Sequence, residues 1–269
     1  MSSGPRQGLT AGPAPPRTPA LSSATEPAGT LIGEHITYRL RRVREAVGSL
    51  VLPLDVVASV DEALDDLVRL EGDLGADQLL RMTPYFGTLW PSARALTRWL
   101  DAHEGWLAGR SVLELGCGLA VPAILAARHG ARVVATDRHA DVAPLLARNT
   151  ELSGVAIAYR SLDWTDLAQV ERLAAELGRV DLVLASDVLY EADVVDALVP
   201  TLAALCAPGT RVVLTDPGRA YLQSAVNRID RAGFTSQLEI LRVADDLADA
   251  AVGGAVKDRE IFLIEFTRV

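Results

Sequence analysis

The hydrophobic and polar positions change period several times along the chain. Ile36, Tyr38 and Leu40 alternate with polar neighbours over 35–40, the pattern of a half-buried strand. A turn over 46–49, containing Gly48, leads to a second apolar run over 50–54, so the two runs predict a hairpin. Val60, Leu64, Leu67 and Leu70 recur at helical spacing, with Asp61 and Glu62 near the helix start. A further helix is predicted over 93–103. Beyond it, short apolar runs over 111–115, 133–135, 160–162, 180–186 and 210–214 are separated by helical patterns. Those patterns cover 119–127, 141–153, 167–177, 193–205 and 220–232. Short buried strands alternating with helices predict an α/β protein with a doubly wound, mostly parallel sheet. The last two apolar runs, 234–242 and 261–269, predict two final strands on either side of an acidic, glycine-containing loop over 244–258.

The most informative stretch is 111–137, which reads as strand, glycine turn, helix and strand. Gly116 and Gly118 permit positive φ and close approach of the backbone to a ligand. Pro122 falls in the first helical turn, where a missing N–H costs nothing, and Gly130 supplies the stop. Asp137 follows about twenty residues after the glycines, where a carboxylate can accept from ribose hydroxyls. A dinucleotide fingerprint would place a third glycine where Val121 stands. Glu114, inside the strand before the turn, would repel a pyrophosphate but suits a cation. A nucleoside cofactor with a sulfonium and an ammonium, S-adenosylmethionine, therefore fits better than NAD.

The run Glu114, Gly116, Gly118 resembles the E-x-G-x-G motif of the seven-strand class I S-adenosylmethionine-dependent methyltransferases. Three further segments sharpen the resemblance to the family 16 branch, which includes protein-lysine methyltransferases and bacterial nicotinamide N-methylase-like proteins. A Trp90-Pro91 segment precedes the motif strand, Asp163-Trp164 ends the third strand, and Asp187 and Tyr190 form a D-x-x-Y motif after the fourth. The resemblance covers about residues 80–269. It implies a Rossmann-like seven-stranded sheet whose final strand is inserted antiparallel. It also implies S-adenosylmethionine as cofactor, held by Trp90, Glu114, Gly116, Cys117, Gly118, Asp137, Asp163, Trp164 and Ser186. Asp187 and Tyr190 would be the catalytic pair, positioning an amine and walling the transfer channel. Each residue has a plainer reading: Trp90 as a core plug, Asp163-Trp164 as a surface turn, Asp187 as the cap of the next helix, and Cys117 as packing. The segment Asp216-Pro-Gly-Arg219 resembles one in the electron-transfer flavoprotein β-subunit lysine methyltransferases. Arg219 there either holds an acidic patch of a protein substrate or closes a turn. The first motif departs from many relatives at Leu119-Ala120, where they have a threonine or a third glycine.

Composition narrows the setting. At 269 residues and 49% hydrophobic the chain can bury a large core, and a net charge of −9 argues against a general nucleic-acid surface. Two cysteines, Cys117 and Cys206, make no disulfide framework, and the four histidines are scattered rather than clustered as metal ligands. The absence of a long apolar run or signal sequence points to the cytoplasm, away from membranes. Six of the fourteen prolines lie in the first 30 residues, predicting a disordered tail over 1–30. An accessory lobe (hairpin and helix) is then expected over 31–80 and the methyltransferase domain over 81–269. The expected activity is protein-lysine N-methylation by direct transfer to a neutral nitrogen, the alternative being N-methylation of a small-molecule amine. A noncatalytic cofactor-binding protein is a third reading, which the intact Glu114, Asp137 and Asp187 disfavour.

Overall fold

A computed structural model describes residues 26–72, 75–245 and 257–269. Three antiparallel strands open it: β1 (Glu26–Ile32), β2 (Thr37–Val47) and β3 (Leu50–Val57). The expected hairpin over 35–54 is present, beginning two residues later at Thr37 and running on to Val57. Residues 26–30, expected to belong to the tail over 1–30, are strand, and residues 1–25 lie outside the described residues. Pro27 is tolerated because β1 is an edge strand with a register shift between Pro27 and Gly29. Helix α1 (Val60–Glu71) is capped by Ser59, whose hydroxyl accepts from the Glu62 N–H. The short α2 (Ala76–Met82) follows, a helix that no periodic pattern announced.

A 3₁₀ turn, Tyr85–Gly87, leads into α3 (Pro91–Ala102), with Pro91 in its first turn, and the single-turn α4 (Glu104–Leu107). The alternating region then runs β4 (Ser111–Leu115), α5 (Val121–Arg128), β5 (Arg132–Asp137), α6 (Val142–Ser153), β6 (Ala158–Ser161), α7 (Leu167–Leu177) and β7 (Leu182–Ser186). It continues through α8 (Ala192–Leu205), β8 (Arg211–Asp216) and α9 (Leu222–Arg231) to the hairpin β9 (Phe234–Asp245) and β10 (Lys257–Arg268). The seven-stranded sheet has the order β6-β5-β4-β7-β8-β10-β9, with β10 antiparallel to both neighbours. This is the doubly wound, Rossmann-like arrangement expected. Ala244, Asp245, Lys257 and Asp258, assigned to a loop by sequence, extend the hairpin, and 246–256 lie outside the described residues.

Two apolar layers sandwich this sheet. One packs α5, α6 and the N-terminal sheet, with Leu52, Leu54, Ile124 and Leu125 inaccessible; the other packs α7, α8 and α9, with Leu198, Leu202 and Ile229. Strand order reverses between β4 and β7, which opens a crevice at their carboxyl ends. No helix among the described residues is long and apolar enough to cross a membrane.

Candidate active site

A cavity of about 550 Å³ fills that crevice, within the range of small-ligand sites. Its wall brings together Trp90, Gly116, Cys117, Gly118, Asp137, Asp163, Trp164, Ser186, Asp187 and Tyr190. Ten of the eleven site residues expected from sequence thus meet in one place, although they span a hundred positions.

The glycine turn follows β4 with φ of 63° at Gly116 and 49° at Gly118. A Cβ on Gly116 would lie 3.1 Å from Val188 and 3.2 Å from the Trp164 ring; one on Gly118 would lie 3.0 Å from the Phe86 carbonyl oxygen. The turn is therefore pressed between the aromatic that follows β6 and the loop before α3. Ala120, at the departure from the family pattern, also adopts the left-handed region with φ 54°. Cys117 is buried, and burial pushes its thiol well up, so it packs rather than reacts.

Asp137 ends β5. One carboxylate oxygen accepts from the Gly118 N–H at 3.0 Å and the other from the His139 N–H at 3.0 Å. Burial raises its affinity for a proton, and these backbone donors oppose the rise. Asp163 accepts from the Thr165 N–H and hydroxyl at 2.9 and 2.6 Å, which fixes the turn that presents Trp164. Trp90 donates its indole N–H to the Tyr85 carbonyl at 3.0 Å, and its ring tilts against Tyr85.

Glu114 is the exception. Its carboxyl is inaccessible, does not line the cavity, and accepts from the Ala123 N–H at 2.9 Å in the first turn of α5. Desolvation pushes it up to about 8, so it is a neutral acid at pH 7. The expectation that Glu114 meets a cation directly is corrected: the pleat of β4 turns it under the helix start, where it anchors α5.

At the other end of the cavity Asp187 has φ 59°, donates its N–H to the Thr215 carbonyl at 2.8 Å, and is held by three side-chain donors. Arg219 Nε and Nη2 reach Oδ1 at 2.8 and 2.5 Å, and Ser92 Oγ reaches Oδ2 at 3.3 Å. The cap of α8 is Glu191, so Asp187 caps nothing. Arg219 is turned inward onto Asp187 rather than held out toward an acidic partner. Asp216 braces that turn, its Oδ1 accepting from the N–H groups of Gly218 and Arg219 at 2.7 and 2.6 Å. Tyr190 is exposed and 6.0 Å from the Arg138 guanidinium, itself paired with Glu191.

Sequence reasoning missed Arg138, His139, Arg81 and Arg259, which also line the cavity. The first two follow Asp137 at a strand's carboxyl end, and that placement was a usable signal. Arg81 and Arg259 arrive from α2 and β10, far away in sequence, with no local motif.

The donor set fits S-adenosylmethionine. The wall combines carboxylates at Asp137, Asp163 and Asp187 with the indole of Trp164, and its glycine turn would be filled by a Cβ. A seven-stranded sheet of this order, with a nucleoside-sized cavity at its switch point, is the class I S-adenosylmethionine-dependent methyltransferase fold. A profile of the lysine methyltransferase family, methyltransferase family 16, matches residues 82–226, and the chain belongs to that family. An electron transfer flavoprotein beta subunit lysine methyltransferase from Xenopus laevis is 33% identical over 143 residues, covering 52% of this chain and 55% of the relative. A histone-arginine methyltransferase, METTL23, from the same organism is 32% identical over 143 residues, covering 49% and 58%. The chain thus spans about half the length of the curated relatives it matches. Among solved structures, the T. thermophilus 16S rRNA N2 G1207 methyltransferase in complex with AdoMet and guanosine shares the fold. Its TM-score is 0.54 at 18% identity, over 86% of this chain and 51% of that one.

Proposed function

We propose that this protein is a cytoplasmic S-adenosylmethionine-dependent N-methyltransferase acting on lysine side chains of a protein substrate. The observation that carries the reading is the single cavity shared by the Gly116–Gly118 turn, Asp137, Asp163-Trp164 and the Asp187–Tyr190 motif. Family membership supports the transfer of methyl groups to lysine. The relatives' names support a protein acceptor: one acts on a flavoprotein subunit, the other on histone arginine.

The bound cofactor supplies an electrophilic methyl group on a sulfonium. The chain's residues do the rest. Asp137 accepts from ribose hydroxyls while its backbone donors keep it in place. Asp163 and Trp164 hold the adenine, by accepting from its amino group and covering its face. Trp90, fixed by the Tyr85 carbonyl, closes the apolar side and excludes water. A lysine amine has a pKa of about 10.4 in water and must lose a proton before it can attack. Asp187 has one oxygen occupied by Arg219 and the other by Ser92, which favours a positioning role over that of a free base. Alignment of amine and methyl group is the main catalytic contribution.

The test is transfer of labelled methyl from S-adenosylmethionine into a host lysate separated into protein and small-molecule fractions. A discrete labelled protein, with the methyl group on lysine by mass spectrometry, supports the proposal. Label confined to small molecules moves the activity to a metabolite amine. A preceding thermal shift separates the cofactors: S-adenosylhomocysteine should raise the melting temperature and NAD should not.

A further inference from the structure

The N-terminal sheet lies outside the region that matches the family, residues 82–226, yet it touches both loops that wall the cofactor half of the cavity. Tyr38 on β2 donates its hydroxyl to Asp141 Oδ2 at 2.7 Å, and the Glu34 N–H donates to Oδ1 of the same carboxylate at 2.7 Å. The Asp141 N–H in turn donates to His139 Nδ1 at 3.2 Å, and the His139 N–H donates to Asp137 at 3.0 Å. A continuous chain of hydrogen bonds therefore joins the accessory sheet to the carboxylate that faces the cavity. Tyr38 and Asp141 are 2% and 4% exposed, so water competes little for these bonds. Burial, with the Asp141 hydrogen bond, pushes the Tyr38 phenol up and keeps it a donor.

The second contact is apolar. The Tyr38 ring meets Phe86 edge-on, with centroids 5.8 Å apart at 89°, and Phe86 packs on the His139 ring at 4.3 Å. Phe86 lines the cavity and braces Gly118 through its carbonyl. The third contact is Val57 of β3, which fills the space a Cβ on Gly87 would need. The β1–β2 turn is shaped for the docking: a Cβ on Gly33 would lie 2.5 Å from Asp141 Oδ2 and 2.6 Å from the Tyr38 ring.

We infer that the N-terminal sheet is part of the cofactor-binding machinery, with Tyr38 and Asp141 as positioning residues that hold the 137–141 loop and Phe86 ready for the nucleoside. The inference rests on the S-adenosylmethionine reading above. Its physical basis is preorganisation: a loop already fixed by the sheet loses less freedom when ligand binds, so cofactor affinity depends on contacts the cofactor never makes.

The test uses the full chain and S-adenosylhomocysteine as the probe, by isothermal titration. Tyr38→Phe keeps the ring on Phe86 and removes only the hydroxyl; it should weaken binding about fivefold or more. Leu238→Ser, at an exposed position on β9 at the far edge of the seven-stranded sheet, should bind as wild type does. Hydrogen exchange gives a second readout: the His139 amide, which donates to Asp137, should exchange faster in Tyr38→Phe while the amides of β4 do not. Asp141→Asn, which keeps the side chain's shape, should behave like Tyr38→Phe and serves if that variant does not fold. A lowered melting temperature with unchanged affinity and unchanged His139 exchange would make the sheet a stabiliser only and overturn the inference. Wild type that fails to bind the probe would instead overturn the cofactor reading, and this inference with it.

Discussion

Arg219 grips a single carboxylate oxygen of Asp187 with two nitrogens, at 2.8 and 2.5 Å, across the carboxyl ends of the neighbouring strands β7 and β8. Both residues line the cavity, and the Asp187 side chain is only 8% exposed, so the pair is poorly screened. Removing the guanidinium leaves a buried carboxylate in a left-handed backbone conformation with Ser92 as its remaining side-chain partner. Arg219→Ala should therefore lower methyl transfer by about tenfold or more, because both charge-assisted hydrogen bonds to Asp187 are lost. S-adenosylhomocysteine affinity should change by no more than about twofold if the pair orders the acceptor rather than the cofactor. Arg219→Lys should recover only part of the rate, because an ammonium cannot make the two-nitrogen grip. An equal loss of cofactor affinity and turnover would place Arg219 in the cofactor half instead.

Asp137 should show the opposite partition. Its oxygens tie the glycine turn to the 137–141 loop and face the cavity together. Asp137→Ala removes the proposed ribose acceptor and also strands the N–H groups of Gly118 and His139. Cofactor affinity should fall by roughly tenfold to a hundredfold, as expected for one or two hydrogen bonds to a charged group. Turnover at saturating cofactor should change less. Titration of S-adenosylhomocysteine into both proteins measures this directly, and equal affinities would remove the ribose role.

Asn149 makes a prediction about stability alone. Its side-chain amide accepts from the Asp55 N–H at 2.8 Å and donates to the Asp55 carbonyl at 3.2 Å, extending β3 as a neighbouring strand would. Both residues are buried, and the Asp55 carboxylate is paired with Arg42 and Arg148. Asn149→Leu fills the volume but leaves two backbone groups without partners. Denaturant unfolding should show a loss of about 2–4 kcal/mol. A loss below about 0.5 kcal/mol would mean that the sheet rearranges to satisfy Asp55 by other means.

The alternating region was legible because its signals are local. The β4 run 111–115 and the α7 run 167–177 were read with the bounds the structure has, since glycines and polar residues punctuate both. That Gly116, Gly118 and Asp137 line one cavity was legible for a related reason: they lie within one strand-turn-helix-strand unit. What escaped is long-range. Arg219 was read as holding an acidic patch or closing a turn, because nothing near it in sequence reveals that Asp187, thirty-two positions away, is its partner. The reach of Tyr38 to Asp141 spans 103 positions and was equally invisible. Glu114 was read by chemistry alone. A carboxylate one residue before a glycine turn suits a cation, but strand pleat decides which way it points, and the pleat turns it under α5.

That placement gives Glu114 a pH signature. Its carboxyl titrates at about 8 in the folded protein, against about 4.3 in an unfolded chain. Between those values the folded state holds a proton that the unfolded state releases, so the contribution of Glu114 to stability is fully present below about pH 4. It declines as pH rises and is gone once pH passes about 8. The whole excursion is of order 5 kcal/mol. Glu114→Gln mimics the neutral acid and keeps an acceptor for the Ala123 N–H, so it should lack this slope. Melting curves of the two proteins from pH 5 to pH 9 should diverge, with wild type losing stability relative to Glu114→Gln as pH rises. The other titrating groups are common to both and cancel in the difference. Parallel curves would mean that Glu114 is ionised in the fold, with its charge carried by the N–H groups that open α5.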